Sequence, residues 1–567
     1  MHWSSRAAPL FQIAFNFRVG ELLNVKLGDC SLILEKHQYA KTLYDLDFNM
    51  TPTDSSQLVE VTSNSDMYSL TTTDWILDTN LHIVQTLAST PSITIGDSQL
   101  YDKTQVDNAL SLRQGPRVES KWPVSLMGRF YQVCDSFPDT VAIKDGGGFL
   151  TYGNLSRRVN TLAAAISRAG VVPSIDTFAA MLGILHVRSI YVPLDITVSS
   201  TRQRAMTAVC QPKLAICDAV TAEGAEEICA DQHRTPKLNL SDVPTAADEN
   251  PPKAFGDYGF LLPTSGSTGT PKGVRITQSG IMNYAAAKAT IFDLGQVKFL
   301  QQSSTGFDLS RAQAFNAIVN AGTLVVAPSS TRGDPARIAE LILRKSIQFT
   351  IFTPSEYSTL TSYAADTLRP ISLSNQLSTT DVTRSIGKPI LSTSVYISGP
   401  HGEPQPIGFP GEICVGGRGV AMGYFGADSD SAKFLHNPLA KYPKVSSNFK
   451  VVYKTGDKGC LRQDGSLVLM GRIEGDTTIK LRGLRIDISE VANSILTNAK
   501  GSLTDAVVTI RGTPEFLVAC VVLARRGALS PDFLSALRSE LPLPGYMISS
   551  MILPLDKLPI TTNGKVD

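Results

Sequence analysis

Short apolar runs spaced by helical periodicity govern what this chain can fold into. From about Trp122 onward, SIYVPLD (189–195), LAICD (214–218) and GTLVVAP (322–328) are brief and apolar throughout. Between them lie helical segments. LSRRVNTLAAAISRAG (155–170) sets Leu155, Val159, Leu162 and Ile166 on one helical face, with Gly170 as the expected stop. Strands buried on both faces and alternating with helices predict parallel sheets covered by helices. Past Gly471 the pattern becomes mixed. DAVVTIRG (505–512) and FLVACVVLAR (516–525) read as strands, and SPDFLSALRSEL (530–541) as a helix capped by Ser530 with Pro531 in its first turn. A small α+β domain is expected there. The first hundred residues, rich in Ser, Thr, Asp and Asn, read as strands at LFQIAFNF and SLILEK and a helix at DWILDTNLHIVQTLAS. The stretch from Asp97 to Pro123 shows little periodicity and reads as a linker.

The expected fold class is therefore α/β and multidomain: residues 1–96, a linker 97–122, a large unit 123–470 with helix-covered, mostly parallel sheets plus a β-rich part, and a small α+β unit 471–567. A length of 567 residues carries a prior of roughly three to four domains. Lys and Arg number 52 against 51 Asp and Glu, so no broad basic field exists to attract nucleic acid or an anionic membrane. No apolar run reaches the length of a membrane helix, and the N-terminus lacks the pattern of a secretory signal. The eight cysteines are scattered and form no CxxC, so neither a disulfide framework nor a zinc site is expected, and no metal-ligating cluster is read. A cytoplasmic location with reduced thiols is the expectation.

The strongest chemical signal is TSGSTGTPKG, from Thr264 to Gly273, directly after the apolar run FLLP. Thr264, Ser265, Gly266, Ser267, Thr268 and Gly269 let backbone and hydroxyls approach phosphate oxygens closely, and Lys272 adds a charge. A Walker loop needs GxxxxGK[ST] before a helix, and this segment lacks that order. A flexible Gly/Ser/Thr linker is the alternative.

This loop resembles the phosphate loop of the adenylate-forming superfamily. Further matches follow in that family's order: LTYGNL (150–155), IYVPLD (190–195), GFDLS (306–310), GEICVGGRGVAMGYF (411–425), YKTGDKG (453–459), GRIEGDTTIKLRGLRIDISEV (471–491) and NGKVD (563–567). The set is most similar to adenylation domains of fungal hybrid polyketide synthase–nonribosomal peptide synthetases, which implies a ligase using ATP and Mg2+. By the resemblance, Asp457 accepts both ribose hydroxyls, a task suited to two acceptor oxygens, and Arg472 also contacts the nucleotide. Glu474 stands at the hinge of the small domain, where the family usually has Asp. Lys565 and Lys272 would be catalytic, Lys565 by stabilising negative charge at the α-phosphorus. Asp308 would pair with a substrate ammonium, with Leu309 and Ala312 lining the side-chain pocket; helix capping by Asp308 is the alternative. The implied partners are an amino-acid substrate and, since the chain stops at Asp567, a phosphopantetheinyl carrier protein acting in trans.

Departures from the family pattern are as informative. After Thr353-Pro-Ser-Glu-Tyr-Ser the chain runs through Leu368-Arg-Pro-Ile to SLSNQLSTTDV and SIGKP, where the family has roughly forty more residues ending in an aromatic-Gly-Pro-Thr-Glu motif. Pro370 falls about where that Glu belongs. The lost stretch supplies much of the amino-acid pocket and a core strand, so a cavity and an unpaired sheet edge are expected. The region 172–178 is short of a strand, His186-Val187-Arg188 replaces Lys-Ala-Gly, and Gln278 stands where many members have His. The N-terminal hundred residues resemble the tail of a condensation domain through PLFQIAFNF (9–17) and YDLDFNM (44–50), without the paired histidines of its chemistry. Two readings stay open: an amino-acid adenylating enzyme, or an inactive remnant that is a folded scaffold only. An acyl-CoA or aryl-acid ligase is disfavoured by Asp308.

Overall fold

The computed structural model describes residues 12–17, 24–27, 29–33, 44–52, 56–65, 68–94, 102–113, 115, 122–123, 125–166, 175–194, 200–218, 221–230, 236–243, 257–264, 272–368, 372–373, 385–425, 433–437, 451–473, 478–481, 484–512, 515–524, 531–541, 543 and 545–558. A six-stranded sheet runs in the order Ser372–Leu373, Phe349–Thr350, Lys298–Gln301, Thr323–Val326, Val141–Lys144, Phe149–Thr151. All neighbours are parallel except the last pair. Alternate residues of a strand face opposite sides. Phe299 and Leu324 accordingly point into one core with the helices Leu126–Ser136, Tyr152–Ile166, Ile175–His186, Gln278–Phe292 and Asp308–Val319. Leu300 and Val325 point into another, beneath Pro335–Lys345 and Pro354–Leu368. Leu155, Val159, Leu162 and Ile166 are all buried, as their spacing predicts.

The helix Ile175–His186 ends on Arg188, where the family has glycine. Arg188 adopts φ +58°, and Ser189 N–H returns to the Ile184 carbonyl at 3.0 Å. The left-handed turn is kept although its residue carries a Cβ, at a cost of about 1 kcal/mol. The expected helix stop Gly170 and most of the short region 172–178 lie outside the described residues.

The β-rich part is an antiparallel sheet ordered Ser385–Gly387, Leu467–Arg472, Val451–Leu461, Gly411–Gly417, Thr393–Ser398, with Phe434–His436 also pairing Val451–Leu461. The polar stretch read as a linker contributes here a helix, Lys103–Leu112. Asp102 caps it by accepting from Thr104 and Gln105 N–H. Three apolar residues suffice to dock it. Val106 and Leu110 join Tyr396, Cys414 and Val452, while Ala109 joins Ile397, Ile413 and Leu461 on the other face. Arg113 follows, fully buried. Its Nη2 donates to the Gln405 carbonyl at 2.7 Å, and burial lowers its pKa to about 9.

The C-terminal unit is α+β, as expected. Leu503–Arg511 and Phe516–Leu523 form a hairpin, Met551–Leu555 joins in parallel, and Ile488–Asn498 and Pro531–Glu540 close a separate core around Ile486, Val491, Ile495 and Val521. The cap Ser530 lies outside the described residues. At the other end Ile13–Phe17 runs parallel to Leu46–Pro52, which pairs antiparallel with Gln57–Ser63, followed by the helix Leu70–Ser89.

Candidate functional site

Strand Tyr258–Thr264 and strand Lys272–Thr277 form an antiparallel hairpin in which Thr264 faces Lys272. The Gly/Ser/Thr segment thus falls, in sequence, between two paired strands. Its residues Ser265, Gly266, Ser267, Thr268 and Gly269 lie outside the described residues. Lys272 closes the hairpin, and its ammonium sits 5.8 Å from the centre of the Tyr424 ring. A Cβ at the following Gly273 would meet the Leu261 side chain at 2.7 Å, so close strand packing at the loop base requires glycine.

The hairpin continues into Tyr424–Phe425, which pairs with Gly273 and Val274. Tyr424 in turn meets the β-rich sheet. Its hydroxyl lies 3.1 Å from that of Tyr453, and Phe434 packs against both rings at 5.3 and 4.9 Å. Tyr453 begins the YKTGD segment, so the loop base and the Asp457 strand share one aromatic joint. Asp457 lies four residue steps along the strand from Tyr453, about 13 Å.

The turn that presents Asp457 is held from every side. Gly456 adopts φ +75°, and a Cβ there would stand 3.2 Å from Arg472 Nη2. Its N–H donates to Glu412 Oε1 at 3.1 Å, while its carbonyl accepts from Ile473 N–H at 3.0 Å. Thr455 Oγ1 donates to the Ile413 carbonyl and accepts from Asp457 N–H. Arg472 lies opposite Asp457 in the antiparallel register. Its Nη1 reaches Asp457 Oδ1 at 2.9 Å and the Thr455 carbonyl at 3.1 Å. Among the described residues, Asp457 Oδ2 accepts no hydrogen bond. Glu412 spends its second oxygen on Lys454 Nζ at 2.8 Å, and that bond raises the Lys454 pKa. Glu412 sits within the quoted GEICVGG motif, and the sequence reading assigned it no role. Its signal was the strand alternation that sets it against the YKTGD strand.

Across the molecule, Asp308 is the first residue of the helix Asp308–Val319. Phe307 occupies the N-cap and no side chain caps the end. The capping alternative for Asp308 is therefore not adopted, and its carboxylate is exposed. Leu309 and Ala312 are half-buried against the main core. Glu474 and Lys565 lie outside the described residues. Among the described residues, no group of three His, Cys, Asp or Glu side chains is placed to hold a metal ion, so they build no protein cage for Mg2+. No helix among them is long and apolar enough to cross a membrane.

Comparison with known proteins agrees with this architecture. The family model "AMP-binding enzyme" matches residues 130–379 and 370–425, in two pieces that meet where the parallel sheet ends. Hybrid PKS-NRPS synthetase lepA of Aspergillus flavus is 38% identical, covering 100% of this chain and 16% of its own length. Hybrid PKS-NRPS synthetase apdA of Emericella nidulans is 35% identical, with 99% and 16% covered. Cyclo-acetoacetyl-L-tryptophan synthase of Aspergillus oryzae is 34% identical, with 99% and 16% covered. The chain thus spans about a sixth of the length of these relatives. The lepA alignment runs over 624 positions against 567 residues here, so about 57 positions of that relative have no counterpart. Among solved structures, a four-domain nonribosomal peptide synthetase bound to AMP and glycine superposes with TM-score 0.64 at 22% identity, over 92% of this chain and 42% of that one. The amide bond synthetase McbA of Marinactinospora thermotolerans gives 0.65 at 20% identity, over 78% and 98%. At such identities the likeness concerns the fold. Taken with the family match over more than half of its length, these findings establish that the chain belongs to the AMP-binding, adenylate-forming enzyme family, as an adenylation domain whose curated relatives are fungal hybrid PKS-NRPS synthetases.

Proposed function

We propose that this chain binds ATP and activates an amino acid as its aminoacyl-adenylate, for transfer to a phosphopantetheine thiol of a carrier protein in trans. The observation that carries the reading is the Asp457 turn. A half-exposed carboxylate on a rigidly held turn is joined to the base of a Gly/Ser/Thr loop through Tyr424 and Tyr453. Asp457 offers acceptors to two vicinal hydroxyls, Arg472 fixes its orientation, and Lys272 stands at the root of the loop that would cradle the phosphates. In the reaction a substrate carboxylate oxygen attacks the α-phosphorus. The bond to the pyrophosphate oxygen breaks, and pyrophosphate leaves with its electron pair. Lys565 would meet the charge that builds at phosphorus. Magnesium would enter with the ATP phosphates.

A second reading is favoured by the sheet edge. Among the described residues, the parallel sheet ends on the two-residue strand Ser372–Leu373, where the family match divides. On this reading the chain holds nucleotide without turning it over.

The test is equilibrium binding of AMP together with ATP–pyrophosphate exchange against each proteinogenic amino acid. Exchange stimulated by one amino acid supports the enzyme. Binding with background exchange supports the scaffold. A full chain that binds no AMP sinks both.

A further inference from the structure

The N-terminus of the helix Asp308–Val319 holds a group that the reaction above does not use. Arg311 is 6% exposed. Its Nη1 donates at 2.9 Å to the carbonyl of Thr305, two residues before the N-cap Phe307, which folds the guanidinium back onto the start of its own helix. Its Nε and Nη2 find no acceptor among the described residues. These two donors lie on one side edge of the guanidinium, and their parallel N–H bonds match the paired oxygens of a carboxylate or phosphoryl group. Leaving both buried and unmet is costly. Burial also lowers the Arg311 pKa, opposed by the fields of Tyr191 and Asp308. Asp308 lies three residues away but makes no hydrogen bond to Arg311 among the described residues, and it stands exposed. The helix end adds N–H groups that no side chain caps. The turn before it is set by Phe307 N–H to the Ser304 carbonyl at 3.0 Å and Gly306 N–H to Ser304 Oγ at 3.2 Å.

We propose that Arg311 and the turn Ser304–Phe307 form an oxyanion subsite, in which the Nε–Nη2 edge takes two oxygens of a carboxylate or phosphoryl group brought by the ligand. It rests on the reading of this helix end as the substrate side of an adenylating site, and deepens it. Asp308 and Arg311 then offer opposite charges one helical turn apart, a pairing suited to a ligand that carries both signs.

The experiment uses the full chain, melted at constant ionic strength with two matched pairs of probes: AMP against adenosine, and sodium acetate against acetamide. Within each pair the second member lacks the oxyanion. The wild type should be stabilised more by the charged member of at least one pair, and the pair identifies the source of the oxygens. Arg311→Met should erase that gap. Arg311→Lys keeps the charge without the fork and should weaken the charged probe by about tenfold or more; it decides the matter if the Met variant does not fold. No gap in the wild type, or a gap that both variants keep, overturns the proposal. Adenosine affinity is an independent readout of Asp457. Its loss with an Arg311-dependent acetate gap would break the nucleotide reading alone, and its retention with no such gap would break this inference alone.

Discussion

The antiparallel sheet that carries Asp457 and the parallel sheet behind the helix Asp308–Val319 have fared differently. In the first, Thr455, Gly456 and Asp457 are tied by Glu412, Ile413, Arg472 and Ile473, and every backbone group of the turn that these residues reach is paired. In the second, the sheet ends among the described residues at Ser372–Leu373, and two Arg311 donors at the start of that helix go unmet among the described residues. One side is over-determined and the other is cut short. On the proposed reading, gripping a nucleotide and recognising its reaction partner would be separable, because different sheets would supply them.

The sharpest way to break the contrast is Lys565→Ala. If amino-acid-stimulated exchange is detected, it should fall by two or more orders of magnitude, on the order of 3 kcal/mol in the barrier, with AMP affinity nearly unchanged; an unaltered rate removes Lys565 from the chemistry. Arg113→Met probes the over-determined half. Replacing a buried, incompletely paired cation by an apolar side chain should stabilise the chain by about 1–4 kcal/mol in denaturant melts. The pH dependence follows from the lowered pKa of about 9. Below pH 9 the folded chain bears the cost of a buried charge. Between about 9 and 12.5 the unfolded state binds more protons than the folded one, so wild-type stability rises with pH relative to the variant. The gap between the two should therefore narrow above pH 9, and a gap that widens there contradicts the assignment. Glu412→Ala removes the acceptor for Gly456 N–H and the partner of Lys454, and should weaken AMP by about 1–2 kcal/mol by calorimetry. Glu412→Gln keeps an acceptor and should recover most of that loss; equal loss in both variants would assign the effect to the charge. The smallest change expected is Arg188→Gly, which relieves a left-handed conformation at some entropic cost. A gain of about 0.5 kcal/mol in thermal stability is predicted, and a loss would show that Arg188 contributes more than its backbone.

Much of the architecture was legible because burial on both faces leaves a readable pattern. Phe299-Leu300 and Leu324-Val325 are apolar in succession since each sheet face has its own helices. The helix Lys103–Leu112 hid in polar text. Only Val106, Ala109 and Leu110 face inward, yet Asp102 before Thr104 and Gln105 is a capping signal that the linker reading passed over. Arg113 and Arg311 carry no signal in the sequence, because nothing local tells a buried guanidinium from an exposed one. Asp457 was found through its motif, whereas its pairing with Arg472 depends on ladder register between distant segments. Glu412 escaped for the same reason: its partner Gly456 lies 44 residues on.

The strand Ser372–Leu373 carries a consequence for how long polypeptides tolerate loss. Its place is at the rim, so shortening there spares the interior strands Lys298–Gln301 and Thr323–Val326, which keep helices on both sides. Such an edge is where a swapped or redesigned recognition segment would be grafted with least disturbance to the rest.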